Sequence, residues 1–511
     1  MTGTTPSARN RRRALGNVAC AAMMVLEGCA VGPNFARPKA PPVTGYAPRP
    51  LPEVTAATDV HGGAAQHFIR GMDVPGAWWE LFHSAPLDAL VRRALEANPT
   101  LAAAQATLRE AEAQLRAGEG ALFPTLSGDA SRLHERVTTA PEGGNVALPA
   151  FTLNAPSLSV SYVFDIWGGT RRGIEALRAE QQFQRFELEA SYLTISSNVV
   201  TAAINEAALR GEIAATQEII GIETQEVAGL ARQFNIGAAA DTAVLAQRAA
   251  LAQAQAQLPP LQKQLEQQRN QLRAFLGAFP NATLQTRFVL TSLELPKTLP
   301  VSLPSRLVEQ RPDIRASEAL LHQASAQIGV ATANMLPQLT LSGSYGAEGV
   351  GGLFGPALAV WSIGPGLTQP LFEGGKLYEQ RRAAIEAYRA AAAQYRQTVI
   401  AAFQNVADAL RALETDAAAV SAQAAAQTAA AESLAASQRQ FHLGAISYLS
   451  LLTAEQTYQQ ARLNFVEAEA TRFSDTAALF EALGGGWWHR ADVAQDDPRS
   501  RIPPKYDTSA R

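Results

Sequence analysis

Cysteine is nearly absent from this chain. Its 511 residues include only Cys20 and Cys29, both near the N-terminus. A disulfide scaffold or a cysteine-ligated metal in the body is therefore excluded. The seven histidines are scattered without metal-ligand spacing. Charge is scarce as well. Only 17% of residues are charged and the formal net charge is −3, which gives no electrostatic reason to expect a nucleic-acid partner. Beyond the N-terminal region no run of about 20 apolar residues occurs, so no transmembrane helix is available. With 47% hydrophobic residues the chain is nonetheless too apolar to be disordered. A nucleophile elbow, a Walker loop and paired carboxylates near a turn are all missing. The glycines between Gly349 and Gly355 lie between strand candidates, outside the strand–loop–helix setting of a phosphate loop. Neither an enzyme nor a cofactor is expected.

What is present begins with an address. Arg9, Arg11, Arg12 and Arg13 precede a short apolar stretch from Ala14 to Leu26, followed by Leu26-Glu27-Gly28-Cys29. The layout reads as a secretory signal over residues 1–28. Cys29 resembles the lipidated residue of a bacterial lipoprotein, although Glu27 stands where a small residue is usual. Three acyl chains on Cys29 exceed the two that give stable anchoring. Ala30 is not the Asp that resembles an inner-membrane retention signal, so outer-membrane sorting is expected.

The rest of the chain repeats itself. Pro99 and Pro312 are 213 residues apart, and so are Pro124 and Pro337. Gly168 and Gly374 are 206 apart, whereas Gly237 and Gly444, and Gly277 and Gly484, are 207 apart. One helix-and-strand unit is thus used twice. The first copy carries about seven extra residues between Pro124 and Gly168, assigned to the loop at 138–150, where insertions cost little.

Between the helices the period falls to two. Leu158, Val160, Tyr162 and Phe164 alternate with Ser157, Ser159 and Ser161. Leu339, Leu341, Gly343 and Tyr345 alternate with Thr340, Ser342 and Ser344. This is the pattern of a transmembrane barrel, apolar toward lipid and polar toward a lumen. Each copy offers one hairpin, hence four strands per chain. A four-stranded sheet has edges that a bilayer does not tolerate, so the strands require oligomerisation. The rival is a soluble hairpin packed on a helical bundle.

From Gly169 to about Gln233, and again from Gly374 to Gln440, the helical pattern runs unbroken by proline. About 64 residues correspond to about 95 Å, a length that suggests coiled-coil or α-barrel packing. Two shorter helices of about 37 residues accompany each long one. Gly237 and Gly444 suit left-handed helix ends, and Pro259-Pro260 marks a bend in the helix that follows the first.

Five segments together resemble the TolC-like outer-membrane factors of tripartite efflux systems, in the NodT/OprM-like lipoprotein branch. They are Cys29-Ala30-Val31-Gly32-Pro33, Trp78-Trp79-Glu80-Leu81-Phe82, Ala121-Leu122-Phe123-Pro124, Gln369-Pro370-Leu371-Phe372-Glu373-Gly374-Gly375 and Leu483-Gly484-Gly485-Gly486-Trp487. The resemblance implies a mainly α fold: a homotrimer with a twelve-stranded transmembrane β-barrel on a periplasmic α-barrel. It implies an outer-membrane channel passing drugs or toxic organic compounds, a periplasmic adaptor and an inner-membrane pump as partners, and no cofactor. The organisation then reads as signal 1–28, lipidated Pro-rich arm 29–84, first repeat 85–277 with its hairpin at 124–167, equatorial linker 278–304, second repeat 305–484 with its hairpin at 337–372, and tail 485–511.

The resemblance also implies that the tips, at Phe234 and Gly237 and at Phe441 and Gly444, meet the adaptor. Family members often carry an acidic ring just after the second tip, where this chain has the neutral Ser450 and Thr453. Asp241 after the first tip is either an aperture charge or a helix N-cap. Closure is expected to rely on packing or hydrogen bonds, with Tyr448 a candidate. A periplasmic adaptor or structural coiled-coil lipoprotein is the remaining rival, but an adaptor would carry one helical hairpin, not two.

Overall fold

A computed structural model describes residues 30–136, 149–351 and 356–490. The signal region, Cys29 and most of the 485–511 tail lie outside these residues. Two strands, β1 (His67–Arg70) and β4 (Thr298–Val301), pair in parallel. Four longer strands form one antiparallel sheet in the order β2 (Thr125–Glu135), β3 (Phe151–Phe164), β5 (Gln338–Val350) and β6 (Ala357–Thr368). Eight helices accompany them among the described residues: α1 (Ala85–Ala97), α2 (Pro99–Glu119), α3 (Gly169–Asn235), α4 (Asp241–Phe275), α5 (Pro304–Gln310), α6 (Pro312–Ala333), α7 (Lys376–His442) and α8 (Tyr448–Ala482).

The duplication holds to the residue in the four longest helices. Helices α3 and α7 each have 67 residues, and α4 and α8 each have 35. The expectation of two accompanying helices near 37 residues fits α4 and α8 but not the others. In place of a helix near 37 residues, α1 and α2 have 13 and 21 residues, and α5 and α6 have 7 and 22. The break falls before a proline in both copies. Asn98 and Arg311 adopt extended ψ values of 123°, because the ring of the next residue disfavours helical geometry before it. Helix α4 runs on through Pro259 and Pro260.

Contacts divide the chain into two units, and each unit draws on both copies. Among the described residues, one comprises those within 30–38, 108–184 and 317–395. It holds the four-stranded sheet. It also holds the start of the N-terminal arm, where the Val31 amide donates to the Trp167 carbonyl at 2.9 Å. Arg172 is buried there and donates to the Val31 carbonyl and to Asn34. Gly32 meets the Gly329 backbone so closely that a Cβ on Gly32 would come within 2.5 Å of it.

The other unit comprises 39–107, 185–316 and 396–490 among the described residues. Its core gathers Trp78, Phe82, Phe473 and Phe480, with Trp78 stacked on Phe480 at 5.5 Å. Beside them Arg472 is fully buried. It donates to the carbonyls of Gly62 and Ala64 at 2.7 Å each, holding the arm against α8.

Candidate functional site

The sheet supplies a two-faced wall. Ser127, Ser159, Ser344 and Ser362 lie in one continuous row across all four strands. The Ser127 and Ser159 hydroxyls are 2.7 Å apart, and those of Ser344 and Ser362 are 2.8 Å apart. Thr125, Ser161 and Ser342 line up beside that row on the same face. One residue along, the other face carries Leu126, Val160 and Ile363, and next to them Leu158, Tyr345 and Trp361. Period-two side chains on a pleated sheet force this segregation. Strands β2 and β6 are the edges, and among the described residues neither has a second partner strand.

Strand β3 starts six residues earlier than the alternation from Ser157 indicates. Pro156 sits inside it, paired with Ala130 on β2. On the β5 side the register passes from Asn154–Gly349 to Ser157–Gly346 and skips two pairs. Proline has no amide to donate, so the ladder lapses there.

Cys29 lies outside the described residues. Its neighbour Ala30 packs on Gly168, where a Cβ would come within 2.7 Å of the Ala30 side chain. Gly168 is the last residue of the β3-to-α3 connection.

The tips are built alike. Gly237 has φ +75° and Gly444 has φ +70°. At the first, Gly237 N–H donates to the Phe234 carbonyl and Ala238 N–H to that of Gln233. At the second, Gly444 donates to Phe441 and Ala445 to Gln440. Both are Schellman closures, which need a left-handed residue that glycine supplies without strain. Phe234 is exposed, and Ile236 and Leu443 at the two turns are 80% and 83% exposed. Phe441 is partly buried instead, packed on Leu434, Leu451 and Ala454.

The residues after the tips differ between copies. Asp241 does not cap α4. Ala240 holds the cap position, and Asp241 is an exposed acid in the first turn, where it favours the helix dipole. In the second copy Ser447 is the cap and accepts from the Ser450 amide. Ser450 and Thr453 are exposed and bonded locally, Ser450 to the Ser447 hydroxyl and Thr453 to the Leu449 carbonyl. Tyr448, the candidate for closure, makes no hydrogen bond through its hydroxyl among the described residues. Its ring lies edge-on to Phe441 at 6.0 Å, and its hydroxyl is buried.

Close to the tips is a cluster with no signature in the sequence. Glu223, Gln247 and Glu455 are buried, and Gln247 donates to Glu223. Burial, with Glu226 beside it, pushes Glu223 up to about 7, and burial with Glu223 and Glu226 pushes Glu455 up to about 8. The same effects raise Tyr448. Each residue alone is an ordinary helix residue, and only packing shows that they meet.

Among the described residues no helix is long and apolar enough to cross a membrane, and no group of three or more His, Cys, Asp or Glu could hold a metal ion. The sequence matches the outer membrane efflux protein family over residues 90–278 and 303–485, one span in each copy. The chain belongs to the outer membrane efflux protein family. The pyoverdine export outer membrane protein OpmQ of Pseudomonas putida is 28% identical over 430 residues, covering 80% of this chain and 88% of OpmQ. The toluene efflux pump outer membrane protein TtgC, also of Pseudomonas putida, is 25% identical over 485 residues, covering 94% and 97%. The outer-membrane channel OprN has a solved structure that superposes with a TM-score of 0.80 at 25% identity, over 90% of this chain and all of that one. This outer-membrane efflux protein therefore has the fold of known channels, mainly helical with a strand sheet, and its family members and structural neighbours are channel proteins.

Proposed function

We propose that three copies of the chain close a twelve-stranded barrel in the outer membrane and serve as the exit duct of a tripartite pump. The observation that carries this reading is the sheet: a serine row on one face, an apolar row on the other, and two unpaired edges. A bilayer does not accept open edges, so edge β2 of one copy pairs with edge β6 of the next. The serine face then lines a wet, unselective lumen. The chain conducts passively, and the energy and most of the substrate choice belong to an inner-membrane pump.

The exposed Ile236 and Leu443 at the two tips suit contact with a periplasmic adaptor. Ala30 packs on Gly168, just before the helix that follows β3, and Cys29 is taken as the acylated residue that anchors the chain in the outer membrane. Pyoverdine and toluene in the relatives' names mark a wide range, and the cargo proposed here is drugs or toxic organic compounds, including aromatic acids and antibiotics. With neutral Ser450 and Thr453 and an exposed Asp241, closure relies on packing, and divalent cations block the channel weakly. Strong block that persists in Asp241→Ala contradicts that view of closure.

A gene deletion screened against a panel of toxic compounds tests the function. Sensitivity is expected to rise and to be restored by the full chain. The pair Ile236→Asp and Leu443→Asp is expected to restore the outer-membrane oligomer but not resistance, with loss of adaptor co-purification. Unchanged sensitivity to every compound in the panel contradicts the efflux role.

A further inference from the structure

Three helices converge near the tips on buried acids that have no basic partner among the described residues. Glu223 of α3 is 3% exposed, Glu455 of α8 is 5% exposed, and Gln247 of α4 is fully enclosed. The Gln247 amide donates to Glu223. Both carboxyl oxygens of Glu455, the Gln247 carbonyl oxygen and the Tyr448 hydroxyl are buried without a well-formed hydrogen bond among the described residues, and the Gln247 amide, close to Glu455, offsets only part of the effect of its burial. Acceptors outnumber donors, which is costly inside a protein. A proton on Glu455 turns one acceptor into a donor and lets the carboxyl and the amide satisfy each other.

The surrounding charges point the same way. Glu223 and Glu226, both acidic and both on α3, act on Glu455. From the end of α7, His442 acts on Glu226, and α4 contributes the neutral Gln247. Tyr448 is the further titratable group on α8, and the three glutamates all act on it.

We propose that Glu455, Glu223 and Gln247 form a proton-operated latch between the two helical hairpins of one chain, closed when the carboxyls carry protons and loosened when they ionise. The latch rests on the channel reading only in taking these tips as the end that opens. Protons are held more tightly in the packed state than in a hydrated, open one. The packed state is therefore at full strength in acid and weakens as pH rises through about 7 for Glu223 and about 8 for Glu455.

Hydrogen exchange on the full-length protein in detergent tests this. Protection factors are compared at pH 6 and pH 9, so that the intrinsic rate cancels, over residues 448–460. A loss of about tenfold or more is expected at pH 9, a tenfold change corresponding to one unit of differential pKa. The double variant Glu223→Gln, Glu455→Gln is expected to show equal protection at both pH values. The single variant Glu455→Gln, whose oligomer is checked unheated, guards against misfolding of the double and is expected to shrink the loss. Equal protection at both pH values in the natural protein, or the full loss in the variants, overturns the latch. Planar-bilayer recordings on the same preparations separate the two readings. Conductance absent at both pH values, with the protection shift intact, overturns the channel reading and leaves the latch standing.

Discussion

Ser159 of the first copy sits directly opposite Ser344 of the second. This pair joins the two hairpins into one sheet and continues, through Ser127 and Ser362, to both edges. The duplication thus yields a surface that neither hairpin has alone. Its polar stripe runs the full width of the sheet.

The two faces should respond oppositely to charge. Ile363→Lys places a cation on the apolar face, at a cost of up to about 2–4 kcal/mol where lipid is deepest. Ser362→Lys, the adjacent residue on the serine face, is expected to assemble normally and to shift ion selectivity toward anions. The amount of unheated oligomer in the outer-membrane fraction reads the first effect, and reversal potentials in planar bilayers read the second.

The tip glycines are required by their backbone, not by lack of space. Nothing lies within 4 Å of a Cβ built on Gly444, yet its φ is +70°. Gly444→Val is expected to destabilise the turn by about 1–2 kcal/mol. Gly221, inside α3 with equally open surroundings, has no such need, and Gly221→Ala is expected to stabilise by about 0.5–1 kcal/mol. Thermal unfolding of the two variants should move in opposite directions.

Arg472 ties the arm to α8 through the carbonyls of Gly62 and Ala64. Arg472→Met leaves those acceptors unpaired in the interior, at about 1–3 kcal/mol each. Limited proteolysis should then cut within residues 53–66 while sparing the long helices. An arm that stays protease-resistant in the variant contradicts this role.

Asp416 supplies a pH test independent of the tips. Burial, and next to it Asp475, push its carboxyl up to about 7. A raised pKa favours the folded state below the ordinary carboxylate range, and that advantage is lost as pH rises to about 7. Asp416→Asn is expected to melt at a higher temperature than the natural protein at pH 8 and at a similar one at pH 4. Equal melting at pH 8 contradicts the assignment.

Much of this was legible in the residues because helix length and closure are local properties. The spacing of Gly237 and Gly444 matched the tips, and both close with the same bonds. The strand faces followed from serine alternation. Pro156 hid the start of β3, because a proline reads as a strand boundary although one flank of the ladder tolerates it. Pro99 and Pro312 open helices in both copies, as their equal offset from Pro124 and Pro337 indicates. The Glu223–Gln247–Glu455 cluster was not legible. Its members are more than 200 residues apart in part, each on a helix of mixed composition, and their burial arises only when the two copies pack.

The central claim is that four strands per chain become a closed barrel only through three chains. Native mass spectrometry of the oligomer extracted from outer membranes tests it most directly. Three copies of the mature chain are expected, each heavier by the acyl groups on Cys29. A monomer, or an oligomer of any other count, contradicts it.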